Sequence, residues 1–296
     1  MKTLFKIWNN FFFSKFDPVS ASIFRILLGI TISLMFIAEF PDWERFYSSD
    51  GVLSLNEELY KPPFYKQSIF FLFEKFLPVR YLWYLGFIFS ITFTIGLFTK
   101  FSTIFLYVFF ISKTHFNPLV GAGYDHLIVV LLFYSCFTSL NYYLSFDNIL
   151  NKKRKEFPLV WPIRLIQISI MLIYITTGLY KIVSDPAWLN GEAAYWTIVQ
   201  NIWGRSNIFP LLGYKILFFS KIATYFTLLV ELLFPVFVCI PATRLFAILT
   251  AIFFHLMLII FMNYVDFFQL SMIAALLLFV PDYKMKYWLA RARILK

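Results

Sequence analysis

The chain runs repeatedly through long stretches with hardly a charge, such as "ASIFRILLGITISLMFIAEF" and "IATYFTLLVELLFPVFVCI". A helix needs roughly 20 such residues to cross the hydrocarbon core of a bilayer. This one feature excludes an ordinary soluble fold. Composition agrees: of 296 residues, 60% are hydrophobic and only 14% charged, against about 25% charged in soluble domains. The expected fold is therefore all-α, a polytopic integral membrane helical bundle with no large extra-membrane domain. It is read as a single transmembrane domain over 1–296.

Eight spans are expected: Ser20–Phe40, Leu82–Phe98, Phe101–Ser112, Leu127–Leu144, Ile163–Tyr180, Ile222–Ile240, Leu245–Met262 and Phe267–Val280. The third and eighth are short, as tilted, broken or re-entrant segments would be. Pro162 and Pro241 mark helix ends, and Pro235 should kink the sixth span. The first run is too long for a signal-peptide core and lacks a small-residue cleavage site after it, so it reads as an uncleaved span.

The net charge of +10 would suggest nucleic acid in a soluble protein. In a membrane protein the excess of Lys and Arg in cytoplasmic loops accounts for it, and no nucleic-acid partner is expected. The sharpest signal is "NKKRKE" at 151–156, short and beside a span. It and the basic tail "YKMKYWLARARILK" should be cytoplasmic, with both termini inside and segments 41–81 and 181–221 outside. The many Lys, Ile, Phe and Asn residues point to an AT-rich bacterial genome and so to an inner membrane. Cys136 and Cys239 lie inside apolar runs without CxxC or metal spacing and read as core residues.

Ionisable residues within spans are costly and face a bundle interior or a cavity. Arg25 in "SIFRILLG" and Glu231 in "LLVELLFP" both fall in the inner half of the bilayer. They are expected to pair, either as a structural salt bridge or as a proton or ligand site. His115, His126 and His255 fall toward the outer half. They show no H-x-x-x-H pattern and no cysteine partner, so no metal is expected.

Lys181 ends the apolar run Ile163 to Leu179 and is followed at once by "DPAWLNG". As an anchor it would reach to the headgroups. As a base it would have to lose its proton, which burial favours. Asp185-Pro186 favours a turn, Trp188 is an interfacial aromatic and Gly191 permits a tight backbone. Together they could fold a lid over the lysine. The shared depth of Asp125, His126, Lys181 and His255 suggests one outer-leaflet pocket, with Tyr124 and Gly191 lining it and Trp188 on its rim. An ion pair of Lys181 with Asp125 or Asp185 is the structural alternative.

Several segments resemble the HTTM (horizontally transferred transmembrane) family, the membrane domain of vitamin K-dependent gamma-carboxylase. "FDPVSASIFRILLGITISLMF" followed by "FYSSDGVLS" resembles its opening, and "FNPLVGAGYDHLIVVLLFY" its middle helix. "QISIMLIYITTGLYKIVSDPAWLNGEAAYW" resembles its most telling segment, a lysine followed shortly by W-x-x-G. "LLVELLFPVFV" and "FFHLMLIIFMNYVDFFQLSMIAALLLFVP" resemble its last helices, so that the likeness runs from about residue 16 to 283.

The resemblance implies that Lys181 deprotonates reduced vitamin K or another quinone. Oxygen then turns the quinol into a strong base, with epoxide as by-product, and that base strips a glutamyl proton before carbon dioxide adds. A histidine assists in the family; His126 or Asp125 is the nearest match. Three departures stand out. No counterpart is expected for the carboxylase's large peptide-holding domain beyond the last span or for its paired-cysteine chemistry. The lysine-to-tryptophan spacing is also longer. Two functions follow as expectations. One is quinone-dependent carboxylation or redox modification of a peptide or small acid at the outer face. The other is a non-catalytic maturation or immunity factor that binds membrane lipid and a secreted peptide or a thioredoxin-like partner.

Overall fold

The computed structural model describes residues 2–48, 51, 68–117, 120–151, 156–200, 202–205 and 215–294. Among these residues the regular structure is helical, with only isolated β-bridges besides. The chain divides into two compact units, Met1–Arg164 and Leu165–Lys296.

The first unit contains α1 (Lys2–Phe13), α2 (Val19–Glu39), a 3₁₀ turn (Phe40–Asp42), α3 (Trp43–Tyr47), α4 (Ile69–Glu74), α5 (Arg80–Ile95), α6 (Thr99–Phe116), α7 (Gly123–Ser135) and α8 (Phe146–Leu150). Helix α2 packs along α5, α5 on α6, and α6 on α7. The buried positions Phe24, Leu28, Ile32, Met35 and Phe36 of α2 recur at three- and four-residue steps, which stacks them on one helix face. At one end an aromatic cluster fills the core. Trp43 donates its indole N–H to the Val79 carbonyl at 3.0 Å, Trp83 donates to that of Phe36 at 2.8 Å, and Phe36 meets Phe109 edge-on at 5.4 Å.

At the other end Arg25 is fully buried. Its guanidinium donates to the carbonyls of Phe93 (3.0 Å) and Thr94 (3.1 Å), in the last turn of α5, and to that of Leu144. The C-terminal end of a helix carries partial negative charge and unsatisfied carbonyls, so it compensates a cation without a carboxylate. Nearby, Asp147 caps α6. Its carboxylate accepts from the backbone N–H of Phe98 (2.8 Å) and Thr99 (2.9 Å) and from the Asn141 amide (3.0 Å). A small antiparallel bridge then ties the start of α2 to the segment before α9 (Trp161–Ser184). Phe16 N–H donates to Pro158 O at 3.1 Å, Val160 N–H to Ser14 O at 3.0 Å, and Lys15 pairs with Glu156 at 2.7 Å. The helices between α2 and α9 thus return the chain to the side from which it set out.

The second unit takes most of α9 and adds α10 (Pro186–Asn190), α11 (Ala193–Val199), α12 (Ile216–Cys239), α13 (Arg244–Phe261), α14 (Asp266–Leu276), a 3₁₀ turn (Leu277–Phe279) and α15 (Asp282–Arg291). Helix α12 packs on α13, α13 on α14, and α11 lies along α12. The buried Gln167 of α9 donates to the Leu278 carbonyl at 2.7 Å.

The expectation of eight spans is corrected. Among the described residues four helical stretches are long and apolar enough to cross a membrane: Val19–Tyr47, Trp161–Ser184, Ile216–Cys239 and Arg244–Phe261. A fifth counts only if Asp266–Phe279 and Asp282–Arg291, bent by 105° at Pro281, form one broken span. The physical reasons are local. The expected Leu82–Phe98 lies in α5, whose 16 residues reach about 24 Å, short of a core roughly 30 Å thick. The expected Phe101–Ser112 lies in α6, where Lys100, Lys113 and His115 dilute the apolar run. The expected Leu127–Leu144 stops at Ser135, after 13 helical residues in α7.

Asp147 yields a pH-dependent prediction. Burial raises its carboxyl, but the hydrogen bonds from Asn141, Thr99 and Phe98 outweigh that and hold it below the ordinary 3.8. A carboxyl lowered in the folded state contributes stability above its ordinary value and loses it as pH falls through the folded one. Asp147→Ala should cost about 1 kcal/mol at neutral pH, as a lost helix cap does. The gap from wild type, read from thermal unfolding in nanodiscs, should close as pH drops below about 3.8.

Candidate functional site

Lys181 stands in the last turn of α9, on the same face as Gly178 and Tyr174, three and seven residues earlier. Opposite them runs α12 with Glu231. Glycine at 178 sets the spacing of the two helices. A Cβ there would lie 3.1 Å from that of Glu231 and 3.0 Å from a methyl of Leu232. In this close approach Lys181 Nζ donates to Glu231 Oε1 in an ion pair. The lysine side chain is 23% exposed and the glutamate 8%. The other carboxylate oxygen, Oε2, is buried and accepts no hydrogen bond. Thr177 is close by, but its hydroxyl proton is committed to the α9 carbonyls of Ile173 and Tyr174. Pro235 has no N–H to offer the Glu231 carbonyl four residues back, which loosens α12 at the same level.

The segment after Lys181 folds over it. Asp185 caps α10 by accepting from Ala187 N–H at 2.8 Å, with Pro186 at the first helical position. Gly191 closes the helix at φ +79°, a left-handed conformation that glycine adopts without strain. Tyr225 of α12 donates to Leu189 O at 3.0 Å and so pins α10 in place. As a result the Trp188 ring lies 5.0 Å from Lys181 Nζ, a cation–π contact.

One turn or two deeper, Tyr174, His255 of α13 and Gln269 of α14 form a closed chain. Tyr174 donates its hydroxyl to His255 Nε2 at 2.6 Å, and His255 Nδ1 contacts Gln269 Oε1. The amide oxygen can only accept, so Nδ1 carries the proton and Nε2 receives the tyrosine's. All three are buried and mutually satisfied.

In the first unit a buried cluster surrounds Lys113, which is 1% exposed. Its ammonium donates to Glu39 at 2.7 Å and to Asp125 at 2.9 Å, and Tyr124 donates to Glu39 at 3.0 Å. Asp125 also accepts from Ala122 N–H at 3.0 Å. The rings of Tyr47, Phe110 and Tyr124 enclose the ammonium at 5.6–5.7 Å.

A family model described as HTTM domain matches residues 13–283. The chain belongs to the HTTM domain family. No curated protein and no solved structure matches it.

In this HTTM protein the residues expected to line one pocket are distributed over the two units. Lys181, Trp188 and Gly191 come together in the second unit, with α10 over the lysine. The carboxylate on Lys181 is Glu231, whereas Asp125 is engaged by Lys113 and Asp185 by its own helix N-terminus. His255 is tied to Tyr174 and Gln269. His126 is exposed, its Nδ1 3.2 Å from the Ala122 carbonyl. Tyr124 belongs to the Lys113 cluster. Of the residues expected as an intramembrane pair, Arg25 donates to three carbonyls in its own unit and Glu231 accepts from Lys181 in its own. Sequence reasoning missed Lys113 and Glu39. Both stand at the ends of apolar runs, "FFISK" and "MFIAE", where a charge looks like a solvated anchor. Among the described residues no three of His, Cys, Asp and Glu come together as metal ligands.

A double-mutant cycle tests the Lys181–Glu231 contact. Removing one partner of a buried pair costs about 3–5 kcal/mol because it strands the other charge. Lys181→Met and Glu231→Leu should each lower thermal stability. The double variant should recover part of the loss, with a coupling of roughly 0.5–3 kcal/mol.

Proposed function

We propose that this HTTM protein is an integral membrane enzyme in which the Lys181–Glu231 pair takes a proton from a reduced, membrane-borne quinone. A peptide or small acid would then be modified at the outer face. The observation that carries the reading is the ion pair itself, partly exposed at Lys181 and closed around Glu231. Proton transfer from Lys181 Nζ to Glu231 turns an ammonium–carboxylate pair into an amine and a carboxylic acid without changing net charge. In a low-dielectric site such an exchange avoids creating an isolated ion. The amine then accepts an acidic proton at Nζ, while Glu231 holds the first. The unpartnered Oε2 offers that proton a second seat. Trp188 and α10 cover the lysine and keep water from one side of it.

A reduced quinone would supply the acidic hydroxyl and the electrons; dioxygen would be the oxidant, one of its atoms entering the quinone epoxide and the other leaving as water with the protons released. A glutamyl carbon would lose its proton and gain carbon dioxide. The residues present suit the first step: a partly exposed amine, an aromatic wall and a carboxylate to store the proton. The second reading is a non-catalytic maturation or immunity factor binding a secreted peptide or a thioredoxin-like partner. What favours it is that Lys181 already has a full ion-pair partner, so the pair can serve as a structural strut.

The proposed location is a bacterial inner membrane with both termini cytoplasmic and the 181–200 segment outside. The Lys15–Glu156 pair supports placing the N-terminal residues and the loop of 151–156 on one face; residues 152–155 of that loop lie outside the described residues. In intact cells an impermeant thiol reagent should label a cysteine at Glu192 and spare one at Asn151.

The catalytic test uses the full chain in nanodiscs with vitamin K hydroquinone, dioxygen, bicarbonate and a glutamate-containing peptide, followed by chromatography for quinone epoxide. Wild type should form epoxide. Lys181→Arg, which keeps the charge but cannot give up its proton, should fold and lose at least 100-fold in rate, on the order of a general base's contribution. No epoxide from wild type, or full activity in Lys181→Arg, would leave the binding-factor reading.

A further inference from the structure

Helix α1 is not absorbed by any of the preceding chemistry. Leu4, Ile7, Trp8 and Phe11 follow one another at three- and four-residue steps and share a face with Phe5 and Phe12, while Lys6, Asn9 and Asn10 take the opposite one. The apolar face is open: Leu4 is 73% exposed, Phe5 67% and Trp8 57%. Twelve residues make a helix about 18 Å long, too short to cross a core of roughly 30 Å.

The position of α1 is fixed at its C-terminal end. The bridge of Ser14 and Phe16 to Val160 and Pro158 holds it where α2 and α9, both long enough to span, begin. Arg164 in the first turn of α9 stacks its guanidinium over the Phe11 ring at 4.8 Å. Lys6 lies on the polar face, and Lys15, just beyond the helix, pairs with Glu156. An amphipathic helix with aromatic residues on one face and lysine on the other, set where spans enter the bilayer, matches the headgroup–acyl boundary of a leaflet carrying anionic lipid.

We infer that α1 is an interfacial helix, lying in the plane of the leaflet where α2 and α9 begin, with Leu4, Trp8 and Phe11 among the upper acyl chains and Lys6 among anionic headgroups. The occupant of the open face is lipid, neither a partner protein nor a second copy of this chain.

The test uses the full chain in phosphatidylcholine nanodiscs with or without phosphatidylglycerol. The Trp8 signal is the difference between wild-type and Trp8→Phe fluorescence. Lipid brominated near the top of the acyl chain should quench it at least twice as strongly as lipid brominated near the terminal methyl. Hydrogen exchange of residues 2–13 should be slowed, and Leu4→Gln should restore fast exchange there alone. Lys6→Glu should speed exchange of α1 in phosphatidylglycerol discs and leave it unchanged without that lipid. Equal quenching at both depths would mean insertion across the core and overturn the proposal. No quenching, or shielding of Trp8 that accompanies dimer formation, would also overturn it. An effect of Lys6→Glu that ignores lipid charge would overturn the anionic-lipid assignment.

Discussion

A cationic side chain inside an apolar helix pair can persist only if an opposite charge or a set of dipoles meets it at contact distance. Lys181, Lys113 and Arg25 each satisfy this demand differently. Lys181 has one carboxylate and an aromatic face. Lys113 has two carboxylates inside an aromatic enclosure. Arg25 has three backbone carbonyls and no contacting acid, a solution open to a guanidinium whose five donors fan out in a plane. The packing follows from these requirements. Gly178 brings α12 within reach of α9, and the cap at Asp185 with the turn at Gly191 brings Trp188 back over the lysine it follows.

The four helices able to span were legible as runs of apolar residues. Ser20–Phe40, Ile163–Tyr180, Ile222–Ile240 and Leu245–Met262 each overlap one of them within a few residues, α12 starting earliest, at Ile216. The remaining runs misled because hydropathy ignores helix ends. Gly96 stops α5 within a sequence that stays greasy on either side, and Pro281 turns the chain after α14, where the basic segment "DYKMKYWLAR" takes over. The cap and closing turn around "DPAWLNG" were readable, since Asp-Pro and Gly carry backbone preferences that act over a few residues.

Partner choice was not readable in the same way. Glu231 lies 50 residues from Lys181, and no periodicity states which helix faces which. Nor does sequence foretell that a carbonyl-rich helix end would receive Arg25. The overlooked signal was Gly178, one turn before the lysine on the same face. A small residue in a long helix permits close approach and so points toward the neighbour that supplies the counter-charge. Lys113 and Glu39 gave no comparable sign, because chain ends of apolar runs ordinarily lie in water.

The proposed proton transfer from a lipid-soluble acid rests on the pair at the end of α9. That pair combines a partly exposed amine, an inner carboxylate and an aromatic cover, all within one unit. The most direct measurement is photoaffinity labelling of the full chain in nanodiscs with an azido-quinone, mapped by mass spectrometry. The account predicts label on α9 and α10 around Lys181 and Trp188, competed away by unlabelled quinol. Label spread over lipid-facing helices without competition would contradict it.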